Sequence, residues 1–285
     1  MQLNSPSSID QPFPIKRGQF AIAILAILAL MGLWTISDPS RLAASGILTA
    51  GDYVGGAFCH RIPVRSFSVM GRPIGLCARC SGMYLGFFLY FALVTISGRE
   101  KWTTFSPVWI LVTMAGFIAI MGVDGINSYS HFFPNAPHLY TPNNTLRLFT
   151  GLGTGLAIGT FIVPAVAQTL WTFNAQVQKA AVGTLPEFLG LITITVLAGL
   201  ILLMEIPIAT YIMAILSILG LLFILTGIFT ILLMLLTKRE NSLSRGLQAI
   251  PPLSIGFIIA CLVATGLVTA RIMFIGTIHG IPGLG

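Results

Sequence analysis

Charge is what this sequence has least of. Lys, Arg, Asp and Glu supply 8% of its 285 residues, against about 25% in a soluble domain, and its mean hydropathy is +0.93. A chain this oily cannot keep a water-soluble surface, and it carries no long polar stretch that could fold as a separate soluble unit. The net charge of +7 does not mark a nucleic-acid partner. Its cations are scattered along loops and the ends of apolar runs, where topology determinants and headgroup contacts belong, and its aromatic residues lie inside the runs. Nucleic-acid binding is excluded. Cysteine and histidine are scarce, four of each, and no histidine follows Cys80, which excludes covalent haem c attachment. No internal repeat is present.

What is there is a series of apolar runs. Lys16 and Arg17 precede an uncharged run from Phe20 to Ile36. No small-x-small cleavage site follows it, so it reads as a retained first span rather than a signal peptide. Further runs occupy about 82–98, 107–124, 147–171, 187–206, 208–236 and 252–276, each bounded by turn or charge signals. The stretch Phe188–Thr237 is about fifty residues, too long for one crossing of a core about 30 Å thick. It must fold back, and Glu205-Ile206-Pro207 is the interruption that marks the turn. The expected fold class is all-α, a polytopic transmembrane bundle of about seven helices. Its expected parts are residues 1–45 (polar tail and first helix), 46–172 (a Cys/His loop and three helices) and 173–285 (a three-helix extension). Residues 46–58, GILTAGDYVGGAF, are too short and too glycine-rich to span, and read as a re-entrant or interfacial piece. An odd helix count excludes a simple whole-chain inverted repeat.

With the N-terminus inside, Lys16, Arg17, Arg99, Lys101, Lys179, Lys238, Arg239 and Arg245 fall on the inner side, and Arg41, Arg61, Arg65, Arg72, Arg79 and Arg147 on the outer. This small majority favours the N-inside orientation. Whichever way the chain is inserted, alternate crossings bring the 37–81 loop, Asp124, the 125–146 loop, Arg147, Glu205 and Arg271 to one face. Ionisable groups at membrane depth face cavities or partners, so this face is expected to hold a polar vestibule. Asp124 reads as a helix-end residue serving as general base, metal ligand or ion partner of Arg147, and Glu205 and Arg271 are expected to pair. Gly151, Gly155 and Gly159 recur on one helix face with Arg147 one turn before them, and Gly82 and Gly86 form a shorter seam. The two helices concerned are candidate neighbours.

The chemistry concentrates in FCHRIPVRSFSVMGRPIGLCARCSGMYLG, from Phe58 to Gly86. Cys77 and Cys80 form a C-x-x-C where a loop enters a helix, and Cys59-His60 adds a thiolate and an imidazole. Three Cys and one His match the tetrahedral ligand set of zinc; iron is the alternative metal. The adjacent Cys59-His60 pair demands a sharp turn that Gly55-Gly56 could supply, and His131 or Asp124 is an alternative fourth ligand. The same C-x-x-C could instead be a redox dithiol, its thiolate favoured by a helix N-terminus and by Arg72 or Arg79, with Cys59 as resolving thiol. Arg61, Arg65, Arg72 and Arg79 suit bidentate recognition of phosphate or carboxylate. Asn143 and Asn144 can cap the following helix, and Cys261 reads as core.

The segments CHRIPVRSF, GRPIGLCARCSGMYLG, Asp124 and NNTLRLFTGLGTG together resemble the bacterial and archaeal membrane proteins grouped as domain of unknown function 2085. The resemblance covers about Cys59 to Gly159, with Ser81 standing where many members carry threonine. It implies a membrane protein with a site at Cys59, His60, Arg65, Ser66, Cys77, Arg79, Cys80, Asp124, Asn144 and Arg147, and it implies no particular activity. The helices beyond it and the first span read as additions to that core.

Three expectations follow. The first is a Cys59/His60/Cys77/Cys80 metal site beside an anion pocket of Arg61, Arg65, Ser66, Arg72, Arg79, Asn144 and Arg147. This pocket would bind or act on an anionic amphiphile such as a lipid phosphate, with Asp124 as base. The second is a membrane dithiol, Cys77 and Cys80, exchanging electrons with a quinone or a thiol protein. The third is a transporter or assembly factor in which the Cys/His knot is purely structural.

Overall fold

The fold is an all-α bundle, seen in a computed structural model that describes residues 43–131, 133, 137 and 139–280. The expected first span at Phe20–Ile36 lies outside the described residues, as do Lys16, Arg17 and Arg41. Seven helices follow in chain order: α1 (Gly46–Phe58), α2 (Ala78–Ile96), α3 (Val108–Ser130), α4 (Asn144–Leu170), α5 (Leu185–Leu203), α6 (Pro207–Leu236) and α7 (Ile250–Ile275). All but α1 contribute to six segments long and apolar enough to cross a membrane. The chain is a multi-pass membrane protein.

Local sequence sets the helix starts. The Ser45 hydroxyl accepts the Leu48 N–H at 3.3 Å to open α1, and Asn143 Oδ1 accepts the Leu146 N–H at 2.8 Å to open α4. At α5, Glu187 reaches back to the amides of Gly183 and Thr184 at 3.0 and 3.1 Å in a capping box. The reversal between α5 and α6 falls where expected: Glu205 takes a left-handed conformation, φ 47°, and Pro207 opens α6.

The glycine seams hold the centre together. A Cβ added to Gly151 would sit 2.2 Å from the Arg79 carbonyl oxygen, and one added to Gly155 would sit 2.0 Å from that of Met83. From the other side, Cβ atoms at Gly82 and Gly86 would each lie 2.3 Å from a carbonyl of α4. α2 and α4 therefore touch backbone to backbone, which side chains of any size would prevent. α6 joins by the same device, since a Cβ on Gly220 would meet the Tyr84 carbonyl oxygen at 2.1 Å. α4 is the buried hub, with 56% of its spanning window inside the protein, whereas α3 has 17% and turns its flank to lipid.

Two expectations are corrected. α3 does not end at Asp124 but runs on to Ser130. Asp124, Asn127 and Ser128 share a buried face one turn apart, and each finds a polar partner there, so the helix can continue through polar sequence. The glycines of α1 make no sharp turn. Gly55 lies within the helix, where a Cβ would stand 1.9 Å from the Gly75 carbonyl oxygen, so it brings α1 against the loop that precedes α2.

The alternation of crossings puts one set of ends together. α1, the starts of α2, α4 and α6, and the ends of α3, α5 and α7 meet on what is termed here the thiol face. Cross-contacts confirm it: Ser68 donates to Glu205 at 3.1 Å, Asn144 donates to the Val64 carbonyl at 3.2 Å, and Arg271 reaches the Cys59 carbonyl. At the opposite face a short parallel pair, β3 (Trp102–Thr104) and β4 (Val177–Ala180), links the α2–α3 and α4–α5 connections.

Candidate functional site

Two chain segments deliver the thiols. Cys59 follows the last turn of α1, its N–H donating to the Gly55 carbonyl at 2.8 Å. The chain then turns sharply at Arg61, whose φ is +53°. It forms a small hairpin, β1 (Ser68–Val69) with β2 (Arg72–Pro73), closed by Met70 and Gly71, both at positive φ. It returns at Cys77, the N-cap of α2. The loop closes on itself at the sulfur, because the Cys77 N–H donates to Cys59 Sγ at 3.2 Å.

The sulfurs of Cys59, Cys77 and Cys80 lie within 4.8 Å of one another, and all three are free thiols. Hydrogen bonds from the Cys77 and Cys80 thiols hold the Cys59 thiol well below its ordinary pKa despite its burial. Its own bond to Cys59 is the main reason the Cys77 thiol is pushed up to about 12. The three sulfurs thus favour a thiolate on Cys59 over one on Cys77, beside the N-terminal end of α2.

His60 stands beside this group but is not part of it. Its Nδ1 accepts the Ile62 N–H at 3.1 Å, so a metal would have to be met by Nε2. Burial lowers the His60 pKa, and the positive fields of Arg65, Arg79 and Arg147 lower it further.

The arginines divide into two sets. Arg61 and Arg72 share Asp52, Arg61 Nη2 to Oδ1 at 2.6 Å and Arg72 Nη2 to Oδ2 at 2.7 Å. Asp52 and Arg61 are both buried. Arg72 also bonds the Ala43 carbonyl and Thr49. These two cations tie α1 to the hairpin rather than line a pocket. The other set is Arg65, Arg79 and Arg147. Arg79 grips Asp124, with Nη2 on Oδ2, Nε also on Oδ2 at 3.1 Å, and a further bond to Ser128 at 3.0 Å. Tyr140 donates to the other Asp124 oxygen at 2.8 Å. Arg147 donates to Asn144 Oδ1 at 3.0 Å, and Ser66 donates back to the Ile62 carbonyl at 3.0 Å.

Three expected partnerships are therefore different. Asp124 is the ion partner of Arg79, not of Arg147. With Arg79 and Tyr140 on its two oxygens, it is not a ligand of the thiol group, and His131 is not in that group either. Glu205 does not pair with Arg271. It accepts from Ser68, while Arg271 donates to the carbonyls of Gly56, Cys59, His60, Thr277 and Gly280. Arg271 caps the C-terminal end of α1, where unsatisfied carbonyls and the helix dipole favour a cation. It thereby fixes the backbone that carries Cys59 and His60. A cavity of about 290 Å³ opens beside it, bordered by Gly56, Cys59 and His60.

Sequence reasoning missed Asp52, Asn127, Ser128 and Tyr140. Asn127 accepts the Leu139 N–H at 2.6 Å and donates to the Tyr140 carbonyl at 2.9 Å, so it brings the tyrosine onto Asp124. A carboxylate in an apolar, glycine-rich stretch is costly unless paired, and that signal pointed to Asp52.

A family model described as "Predicted membrane protein (DUF2085)" matches residues 59–161, the segment that holds the thiols, Asp124 and Arg147. An uncharacterised protein of Methanothermobacter thermautotrophicus is 32% identical over 111 residues, covering 37% of this chain and 86% of the relative. Uncharacterised protein MJ1492 of Methanocaldococcus jannaschii is 24% identical over 113 residues, covering 40% of this chain and 66% of the relative. No solved structure matches.

Proposed function

The chain belongs to the family described as predicted membrane protein, domain of unknown function 2085, and from that premise we propose that it is a membrane metalloprotein whose thiol face binds an anionic amphiphile. Cys59, Cys77 and Cys80 would hold one soft metal ion, zinc or iron, with His60 Nε2 or an exogenous ligand in the fourth position. Arg65, Arg79 and Arg147 would hold the anionic head of a lipid-phosphate-like ligand beside it, helped by Asn144. Asp124 orients Arg79.

The single observation that carries this reading is the convergence of three sulfurs from two segments. Around one zinc at about 2.3 Å per bond, three sulfurs lie about 3.8 Å apart. Separations of up to 4.8 Å are at most about 1 Å wider. The donor set is soft, and Cys77 and Cys80 stand at the N-terminus of α2, where a thiolate that a thiophilic metal requires is favoured. Three protein ligands leave a coordination position open for the ligand. Beside it the pocket set Arg65, Arg79 and Arg147 outnumbers Asp124, the one carboxylate paired with that set, so an anion is favoured on charge. Elemental analysis of the detergent-purified chain beside C77S/C80S tests this. One metal per chain that is lost in the variant is expected; a wild type without stoichiometric metal overturns the reading.

A second reading has its own observation, the free thiols of Cys77 and Cys80 at C-x-x-C spacing with their sulfurs within 4.8 Å of each other. In it, Cys77 and Cys80 join in a disulfide, giving two electrons and two protons to a quinone that leaves as quinol. Mass-shift trapping of thiols in intact cells decides: a Cys77–Cys80 pair that changes oxidation state supports it, and one that never does excludes it.

A further inference from the structure

A cavity lies away from the thiols, toward the opposite end of the bundle. It has a volume of about 670 Å³ and runs between α2, α4, α6 and α7. Its walls are apolar, among them Phe87, Phe91, Val166 and Phe257. Gly227 leaves α6 without a side chain at this wall. Its mouth is different: Glu100, Lys101 and Trp171 border it. The Trp171 indole N–H donates to the Glu100 carbonyl at 3.1 Å, and the Lys101 ammonium stands 4.7 Å over the indole ring. The β3–β4 pair brings Lys179 to the same face, 5.8 Å over the Trp102 ring. Arg99 there is neutralised by Glu187 at 2.6 Å. Among the described residues no carboxylate lies within ion-pair distance of Lys101 or Lys179.

We propose that this groove is a binding site for an anionic phospholipid, one acyl chain lying between the helices and the phosphate resting on Lys101, with Lys179 nearby. Two features point to that occupant. Apart from the hydroxyls of Thr95, Thr226 and Ser254, of which Thr226 donates to its own helix at 2.7 Å, the walls are apolar and suit an acyl chain better than a soluble metabolite. The mouth sets lysines over tryptophan rings with no carboxylate in ion-pair distance among the described residues, the combination that sits at headgroup depth and attracts anionic lipid. The site is at the other face from the thiols and does not rest on the metal reading.

Native mass spectrometry of the full chain in detergent, titrated with phosphatidylglycerol or phosphatidylcholine, tests it. At about fivefold per lysine, phosphatidylglycerol should be retained about 25-fold better. Lys101→Gln with Lys179→Gln should bring the two lipids level, and Gly227→Leu, which fills the groove, should weaken both. The lysine pair lies outside the buried core, so that variant remains informative if Gly227→Leu does not fold. Equal retention by the wild type, or a preference unchanged in the lysine variant, overturns the proposal. So does a photocrosslinker at Phe257 that captures the chain's own Phe20–Ile36 segment instead of lipid.

Discussion

Arg61 with Arg72 and Arg79 with Arg147 come from the same basic motif region or its helical neighbour, yet the fold treats them differently. The first two converge on one carboxylate, Asp52, whose oxygens each take one guanidinium. That arrangement satisfies the acid and leaves both cations committed to holding α1 against the hairpin. Arg79 shares Asp124 with a tyrosine, and Arg147 meets only an amide. With Arg65 they lower the His60 pKa through their positive fields. A run of arginines is therefore not one pocket. Arg61 and Arg72 divide one buried carboxylate between them, whereas Arg79 shares its own, Asp124, with Tyr140.

The contrast can be broken most severely at Asp52. Asp52→Ala leaves buried Arg61 without its counter-ion, and removing one partner of a buried pair costs about 3–5 kcal/mol. A large drop in melting temperature, or loss of monodisperse protein in size exclusion, is expected. Asp124→Asn frees Arg79, whose side chain is 23% exposed, so a smaller loss of about 1–3 kcal/mol is expected. Its distinguishing sign is altered affinity for an anionic amphiphile, measured by native mass spectrometry with phosphatidic acid. Arg271→Met removes the cap from α1; metal content should fall while Arg271→Lys recovers part of it, because a lysine still offers a cation to the carbonyls. The smallest stability effect belongs to Arg65→Gln. It should change the melting point by less than about 1 kcal/mol equivalent while weakening phosphatidic acid binding about tenfold. An Arg65 variant as unstable as Asp52→Ala would erase the distinction.

Much of this was legible in the sequence. Six apolar runs became six candidate spans, and the turn at Glu205-Pro207 was announced by the one acid-proline interruption. The grouping of Asp124, Arg147, Glu205 and Arg271 on the thiol face followed from counting crossings. The glycine spacing identified α2 and α4 as neighbours, because a period of four residues fixes a helix face. Partnerships were not legible. Spacing cannot say that Arg79 rather than Arg147 takes Asp124, since that depends on α3 continuing two turns beyond the acid. Nor could it show that Arg271 binds carbonyls instead of Glu205, a choice made by where α1 ends. Gly55 illustrates the same limit: its type suggested a turn, whereas its use is close backbone approach to Gly75.

The central claim is that Cys59, Cys77 and Cys80 act together on one metal. X-ray absorption fine structure of the zinc-loaded chain in detergent tests it most directly. Three sulfur scatterers at about 2.3 Å and one nitrogen or oxygen at about 2.0–2.1 Å are the expected shell, with the sulfur count falling in C59S. A shell of nitrogen and oxygen alone, or one unchanged in C59S, would contradict the account.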